Sequence, residues 1–284
     1  MDEIVVDPGW HAPLRLLGGM HYLALADGVD PWADVGSFLD ERRAWLRRFV
    51  SDQSVQTNEV QRCWALLPAF LALGERPLDV VELGPSAGLN LLWDRYRYEY
   101  AAGSWGAPDA SLALSGFERR PVPAELLERR PEVVRRRGID LAPVDVRTED
   151  GSRLLQCFVW ADQHERLERV RRAIDTLRHD PPELIRGDYV ELLPSVLRDR
   201  EAGMLTVLFQ TASTGYLDDG PYAKLQRAVA EAERPLAWIS TRRWPEREEG
   251  TEDGYELELA LWPEHGPRLV ARMGFHGQWL EWRG

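Results

Sequence analysis

Residues 78–88, with the sequence LDVVELGPSAG, decide the fold that we predict. The short run that ends at Leu83 is apolar at four of its six positions, which is typical of a compact strand. Gly84 and Gly88 flank the turn that follows, and glycines there let a ligand approach the backbone at the start of the next helix. A strand, a glycine turn and a helix form the nucleotide-binding unit of Rossmann-like sheets. A tight strand–helix turn with no ligand remains the alternative.

The acid at the end of this strand separates two classes of ligand. Dinucleotide-binding loops follow the pattern G-x-G-x-x-G around a pyrophosphate. Here the spacing is Gly84-x-x-x-Gly88, and Ser86 stands where the middle glycine would be. Glu82, directly before the turn, would repel a pyrophosphate but suits a cationic amino group. The order therefore favours the amino-acid end of S-adenosylmethionine over NAD.

The rest of the chain changes its hydrophobic period near residue 76. Helical spacing dominates before that point, and short apolar runs alternate with helices after it. The alternating runs near the C-terminus predict an antiparallel hairpin. We predict an α/β fold, a Rossmann-like, class I methyltransferase-type, mostly parallel sheet with a C-terminal antiparallel hairpin, an N-terminal helical segment and a helical insertion. The predicted boundaries are 1–76 for the helical segment and 77–284 for the sheet domain, with the insertion at about 118–182.

Two local predictions concern the chain after the glycine turn. Leu89, Leu92, Trp93 and Tyr96 predict an amphipathic helix there. The alternation of tyrosines over residues 96–100 predicts a strand that pairs with residues 111–115 as a hairpin.

Composition excludes several classes of function. Lys and Arg number 35 against 47 Asp and Glu, a formal net charge of −12, which disfavours nucleic acid as a partner. Cys63 and Cys157 are too few for a disulfide framework or a four-sulfur zinc site, and we predict no metal. With no secretory signal and no apolar run of about 18 residues, we expect a cytoplasmic protein without a membrane partner. A small-molecule substrate is the expected partner, and the oligomeric state stays open.

Five blocks of sequence carry a resemblance to a known family. They are VQTNEVQRC at 55–63, VVELGPSAGLNLLWDRYRY at 80–98, GIDLAPVD at 138–145, RGD at 186–188 and FHGQWLEW at 275–282. On these blocks the chain resembles an uncharacterised bacterial family, domain of unknown function 2332. The resemblance implies a methyltransferase-like fold and no established reaction.

The candidate cofactor residues follow from the loop and from the ends of later strands. Asp188 ends a strand where such folds let an acid contact the adenine amino group, although it is equally suited to cap a helix. The ribose acid normally comes about 20 residues after the glycine loop, and Asp140 is the preferred candidate although it comes much later. The predicted set is Glu82, Gly84, Pro85, Ser86, Gly88, Asn90, Asp140 and Asp188.

Candidate substrate and catalytic residues are sparser. Residues 210–216, QTASTGY, replace the Asp/Asn-Pro-Pro-aromatic motif of many amine methylases, and we place Gln210, Thr211 and Tyr216 in the substrate pocket. Gln56 and Asn58, at the head of an apolar helix, either lie over the cofactor mouth or only cap the helix. Transfer to oxygen or carbon needs a base, for which the candidates are His164, His276 and Asp162.

Two functions from different classes stay in competition. One is a methyltransferase that uses S-adenosylmethionine on a small molecule, which the intact loop favours. The other is a non-catalytic Rossmann-like protein that binds a nucleotide-type ligand or a protein partner. The missing motif after the fourth strand and the late ribose acid favour the second.

Overall fold

The computed structural model describes residues 11–56, 59–199, 203–232, 235–243 and 253–284. The chain forms two compact units. Among the described residues, 11–56 and 144–174 make up the helical unit, and residues 59–143 with those described from 175 to 284 make up the sheet unit. This division differs from the predicted boundary at residue 76, because the third helix belongs to the sheet unit.

The secondary structure alternates after three initial helices. The helices are α1 Ala12–Asp27, α2 Val35–Asp52, α3 Arg62–Leu71, α4 Ala124–Leu127, α5 Glu149–Cys157, α6 His164–His179, α7 Tyr189–Arg198 and α8 Asp219–Ala230. The strands are β1 Pro77–Leu83, β2 Arg97–Tyr100, β3 Gly103–Trp105, β4 Ala113–Ser115, β5 Phe117–Arg120, β6 Glu132–Asp140, β7 Glu183–Arg186, β8 Leu205–Gln210, β9 Leu236–Thr241, β10 Gly254–Trp262, β11 His265–Gly274 and β12 Trp279–Trp282. None of the helices in the described ranges is long and apolar enough to cross a membrane.

The helical unit is held by one apolar stripe and a group of rings. Leu16 and Met20 of α1 pack with Leu46 and Val50 of α2, because residues three and four apart lie on one face of a helix. The α2 helix begins after Asp34, whose side chain accepts a hydrogen bond from the Ser37 amide. The rings of Tyr22, Trp45 and Phe49 stack beside this stripe.

The sheet unit contains a nine-stranded sheet in the order β5-β12-β11-β10-β9-β8-β1-β6-β7. The five strands β7, β6, β1, β8 and β9 are parallel and follow the Rossmann order 3-2-1-4-5. The strands β10, β11 and β12 continue the sheet as an antiparallel meander. The mostly parallel sheet and the C-terminal antiparallel hairpin, formed by β10 and β11, are therefore confirmed.

The central strands are buried on both faces, as parallel sheets require. All six residues of β8 are buried, and so are the last six of β1. One ion pair lies within this core: Arg137 of β6 contacts Asp79 of β1 at 2.5 Å, and each side chain is 1% exposed. The pair neutralises two charges that would otherwise be costly to bury.

Three local predictions are wrong. A short 3-10 segment, Leu89–Arg95, replaces the amphipathic helix and is broken at Leu92. The β4 strand pairs parallel with β2, and the hairpin forms between β2 and β3 instead. Residues 132–140 were expected among the helices of the insertion but form β6, next to β1. The consecutive arginines hid this strand, because the ion pairs that accommodate them are tertiary, Arg136 with Asp94 and Arg137 with Asp79.

Candidate functional site

The carboxyl ends of β1, β6 and β8 meet at the point where the strand order reverses. In open parallel sheets, ligands bind in the crevice outside these ends. The strand β1 lies between β6 and β8, so the glycine turn that follows it enters this crevice. The turn is held against β6 because the Gly84 amide donates to the Ile139 carbonyl at 2.9 Å.

The turn needs glycine at two positions. Gly84 and Gly88 have φ of +71° and +86°, in the left-handed region. A Cβ on Gly84 would lie 2.8 Å from the Cβ of Ser213, whose hydroxyl donates to the Leu83 carbonyl at 2.7 Å. The turn therefore packs so closely against the loop after β8 that a side chain at position 84 would not fit without a shift of Ser213.

Two residues with strained backbone conformations lie in the loops that border the same crevice. In the described ranges, Ser86 and Ala212 are the non-glycine residues with positive φ, at 55° and 71°. Ser86 lies in the turn after β1, and Ala212 lies in the loop after β8. Such conformations cost about 1–3 kcal/mol each and cluster at functional sites.

Asp140 lies at the end of β6, beside the turn. One carboxylate oxygen accepts the Ser86 amide at 2.8 Å, and the other accepts the Ala142 amide at 2.8 Å. The end of the strand next to β1 is where nucleotide folds place the acid that contacts a ribose. The separation in sequence is large because the small sheet β2–β4, the strand β5 and the helix α4 come between β1 and β6.

Glu82 is a buried acid with an oxygen that has no partner. Its side chain bonds with that of Asn90, but Oε2 contacts no hydrogen-bond donor in the described structure. Burial raises the pKa of Glu82 to about 8, and Asp140 adds to the increase, while Asn90 and Arg62 oppose it. Glu82 is therefore largely protonated at neutral pH, and a cationic ligand that displaces the proton would find a carboxylate.

Arg62 is a site residue that the sequence analysis missed. It begins α3 and is only 6% exposed. Its Nε donates to the Phe275 carbonyl at 2.9 Å and its Nη1 to the Thr211 hydroxyl at 3.4 Å. The guanidinium lies 5.8 Å from the ring centre of Tyr255. The sequence did carry one signal for Arg62: it stands at the start of a helix whose other residues are all uncharged.

The structure places Asp188 at the start of α7. Its Oδ1 accepts the Val190 amide at 2.8 Å, which is the geometry of an N-cap. The preceding Gly187 amide donates to the Asp140 carbonyl at 2.9 Å, so Asp188 lies at the same edge of the sheet as the turn. The contact with adenine stays a prediction.

The predicted substrate residues have different surroundings. Gln210 is fully buried, and its amide nitrogen donates to the Thr241 carbonyl at 3.0 Å, which joins β8 to β9. Thr211 contacts Arg62, whereas Tyr216 is 75% exposed. Gln56 belongs to the helical unit, and Asn58 lies outside the described residues.

The candidate bases are divided between the two units. Asp162 and His164 are exposed and belong to the helical unit. His276 is exposed in the turn between β11 and β12, after Phe275.

The predicted cofactor residue Pro85 is buried against Gly138. A Cβ on Gly138 would lie 2.5 Å from the proline ring. Across the described ranges, no three or more His, Cys, Asp or Glu residues are grouped so that they could hold a metal ion.

Comparison with known proteins identifies a family. No curated protein matches the chain. A family model described as "Uncharacterized protein conserved in bacteria (DUF2332)" matches residues 5–282. Because the match covers nearly the whole sequence, the chain belongs to this bacterial family.

Proposed function

We propose that the protein is an S-adenosylmethionine-dependent methyltransferase that acts on a small molecule. The observation that carries the proposal is the buried Glu82, whose Oε2 has no partner and whose pKa is about 8, at the start of a glycine turn. A carboxyl group that is costly to ionise and lacks a partner suits a ligand with an ammonium group. When bound, S-adenosylmethionine supplies such an ammonium group and an electrophilic methyl group.

The residues around the turn fit the other parts of this cofactor. Gly84 and Gly88 let the turn pack against Ser213 and Pro182, because a Cβ at either position would lie within 3 Å of those side chains, and this packing fixes the backbone of the turn at the crevice. Asn90 bonds with Glu82 and orients it toward the ligand. Asp140 would accept the ribose hydroxyls, and Asp188 would contact the adenine.

The direct test is calorimetric titration of the protein with S-adenosylmethionine and S-adenosylhomocysteine. We expect binding by the unchanged protein and at least a tenfold loss in Gly84→Ala. Gly74→Ala is the matched control, because Gly74 also has positive φ, +84°, but has nothing within 4 Å of its Cβ position. A folded protein that binds neither compound would contradict the proposal.

A second stage separates an enzyme from a binding protein. The protein is incubated with S-adenosylmethionine labelled in its methyl group and with a small-molecule extract of bacterial cells. Label that appears in an extract compound, together with stoichiometric S-adenosylhomocysteine, supports the transferase. Tight binding with no transfer to any compound would favour the non-catalytic alternative.

A further inference from the structure

The sheet unit holds one buried arginine that differs from the others. Arg62, Arg137 and Arg243 are the buried arginines in the described ranges. Arg137 forms an ion pair with Asp79 at 2.5 Å, and Arg243 forms one with Asp219 at 3.1 Å. No carboxylate of the described residues lies within 4.0 Å of the Arg62 guanidinium nitrogens.

A buried guanidinium without a counter-ion is costly, and proteins rarely keep one. Arg62 has five N–H donors, of which the Phe275 carbonyl and the longer contact with Thr211 occupy two. Its Nη2 donates to no described residue. An arginine fork with donors to spare matches the two oxygens of a carboxylate.

Two buried acids are close to Arg62 in the structure or in the sequence. Glu82 interacts electrostatically with Arg62, but it is largely protonated at neutral pH because burial raises its pKa to about 8. Glu59 lies three residues before Arg62, and its carbonyl accepts the Arg62 amide at 3.2 Å. The Tyr255 ring centre lies 5.8 Å from the guanidinium carbon, and the Tyr255 and Phe275 rings pack edge to face with 4.9 Å between their centres. A cation beside this aromatic pair suits an anion with a planar, apolar body.

The position of Arg62 separates it from the ribose and adenine contacts that we propose. Thr211 follows β8 and Phe275 follows β11, whereas Asp140 and Asp188 follow β6 and β7 on the opposite side of β1. We infer that Arg62 binds the carboxylate of the methyl acceptor, a small aromatic acid. This inference rests on the proposed function, because it assigns the other half of the crevice to the cofactor.

The experiment uses benzoate as the probe and benzamide as its uncharged counterpart. The unchanged protein, Arg62→Gln, Arg62→Lys and Arg227→Gln are titrated with benzoate after saturation with S-adenosylhomocysteine. Arg227 lies exposed on α8 and serves as the matched control. We expect benzoate to bind at least tenfold more weakly to Arg62→Gln, with a smaller loss in Arg62→Lys and none in Arg227→Gln. Benzamide should bind weakly to all four.

Two further ligands identify the source of the carboxylate. S-adenosylhomocysteine carries a carboxylate, and 5′-methylthioadenosine lacks both it and the ammonium group. If Arg62→Gln weakens only the first at least tenfold, and benzoate displaces it, the carboxylate is the cofactor's own and the acceptor assignment is overturned. Unchanged binding of both benzoate and S-adenosylhomocysteine by Arg62→Gln would overturn the inference entirely.

The design also separates this inference from the proposed function. The benzoate titration is repeated without S-adenosylhomocysteine, and a protein that then binds benzoate through Arg62 but does not bind S-adenosylhomocysteine contradicts the proposed function and keeps only a carboxylate site at Arg62. Thermal unfolding of each variant shows whether it is folded. If Arg62→Gln does not fold, the benzoate affinity of Arg62→Lys tests the inference instead. Lysine keeps the positive charge but lacks the planar pair of N–H donors that a guanidinium offers to a carboxylate. Benzoate binding to Arg62→Lys as tight as to the unchanged protein would then overturn the inference.

Discussion

The two ends of strand β1 differ in whether their buried charged side chains form ion pairs. Near the amino end, Asp79 is paired with Arg137, and both side chains are 1% exposed. Near the carboxyl end, Glu82 keeps an oxygen without a partner in the described structure, and Arg62, which interacts with it electrostatically, forms no ion pair with a described residue. Burial raises the pKa of both acids, but an arginine in direct contact opposes the shift at Asp79. At the amino end each buried charge has its counter-ion, whereas the unpaired groups at the carboxyl end suit the ligand site that we propose.

The largest effect that we expect from this comparison is on stability. Arg137→Met removes one partner of a buried pair and leaves Asp79 uncompensated, which should lower the free energy of unfolding by about 3–5 kcal/mol. Arg62→Met removes a buried cation with no ion pair and should change it by less than about 1 kcal/mol. Urea unfolding measures both. Equal losses would remove the distinction between the two ends.

A pH-dependent effect should follow from Glu82. Its folded pKa, about 8, lies above the unfolded value near 4.5, so the folded state binds the extra proton. The stabilisation is complete below about pH 4.5 and is lost as pH rises through 8. Glu82→Gln cannot ionise, so relative to it the unliganded protein should lose a few kcal/mol of unfolding free energy between pH 5 and pH 9.

Urea midpoints at the two pH values measure this difference. Glu128→Gln, at an exposed position after α4, is the control and should track the unchanged protein. If Glu82→Gln and the unchanged protein respond to pH in parallel, Glu82 is not protonated in the folded state.

The smallest effect concerns the strain in the crevice. Ala212 has φ of +71°, a conformation that costs an alanine but not a glycine. Ala212→Gly should therefore stabilise the protein by up to about 1 kcal/mol, whereas Ala110→Gly, in another loop, should be neutral or slightly destabilising. Thermal unfolding measures the shift. A loss of stability in Ala212→Gly would show that the loop after β8 is not strained.

Much of the sheet could be predicted because its signals are local. The short, mostly apolar runs of β1 and β8 and the alternation in β10 and β11 indicate strands without reference to the rest of the chain. The strand β6 could not be recognised in this way. Its arginines are tolerated only because Asp79 and Asp94 lie opposite them in the fold.

In the candidate site too, only the residues with a local sequence signal could be predicted. The glycine turn and Glu82 are contiguous in sequence, so their pattern could be read directly. Asp140 was displaced from its usual spacing by the segment between β1 and β6, and only the structure brings it to Ser86. Arg62 could not be assigned to the crevice, because its burial depends on Thr211 and Phe275, which are distant in sequence.

The central claim is that Glu82 receives the ammonium group of S-adenosylmethionine, and proton release on binding tests it most directly. Before binding at pH 6.5, Glu82 holds one proton and the ligand's amino group, with an ordinary pKa near 8, holds another. The complex keeps only the ammonium proton against an ionised carboxylate. Calorimetry in two buffers of different ionisation enthalpy should show release of about one proton per bound ligand, falling toward zero near pH 8, and none in Glu82→Gln. Binding without proton release at pH 6.5, or the same release in Glu82→Gln, would contradict the claim.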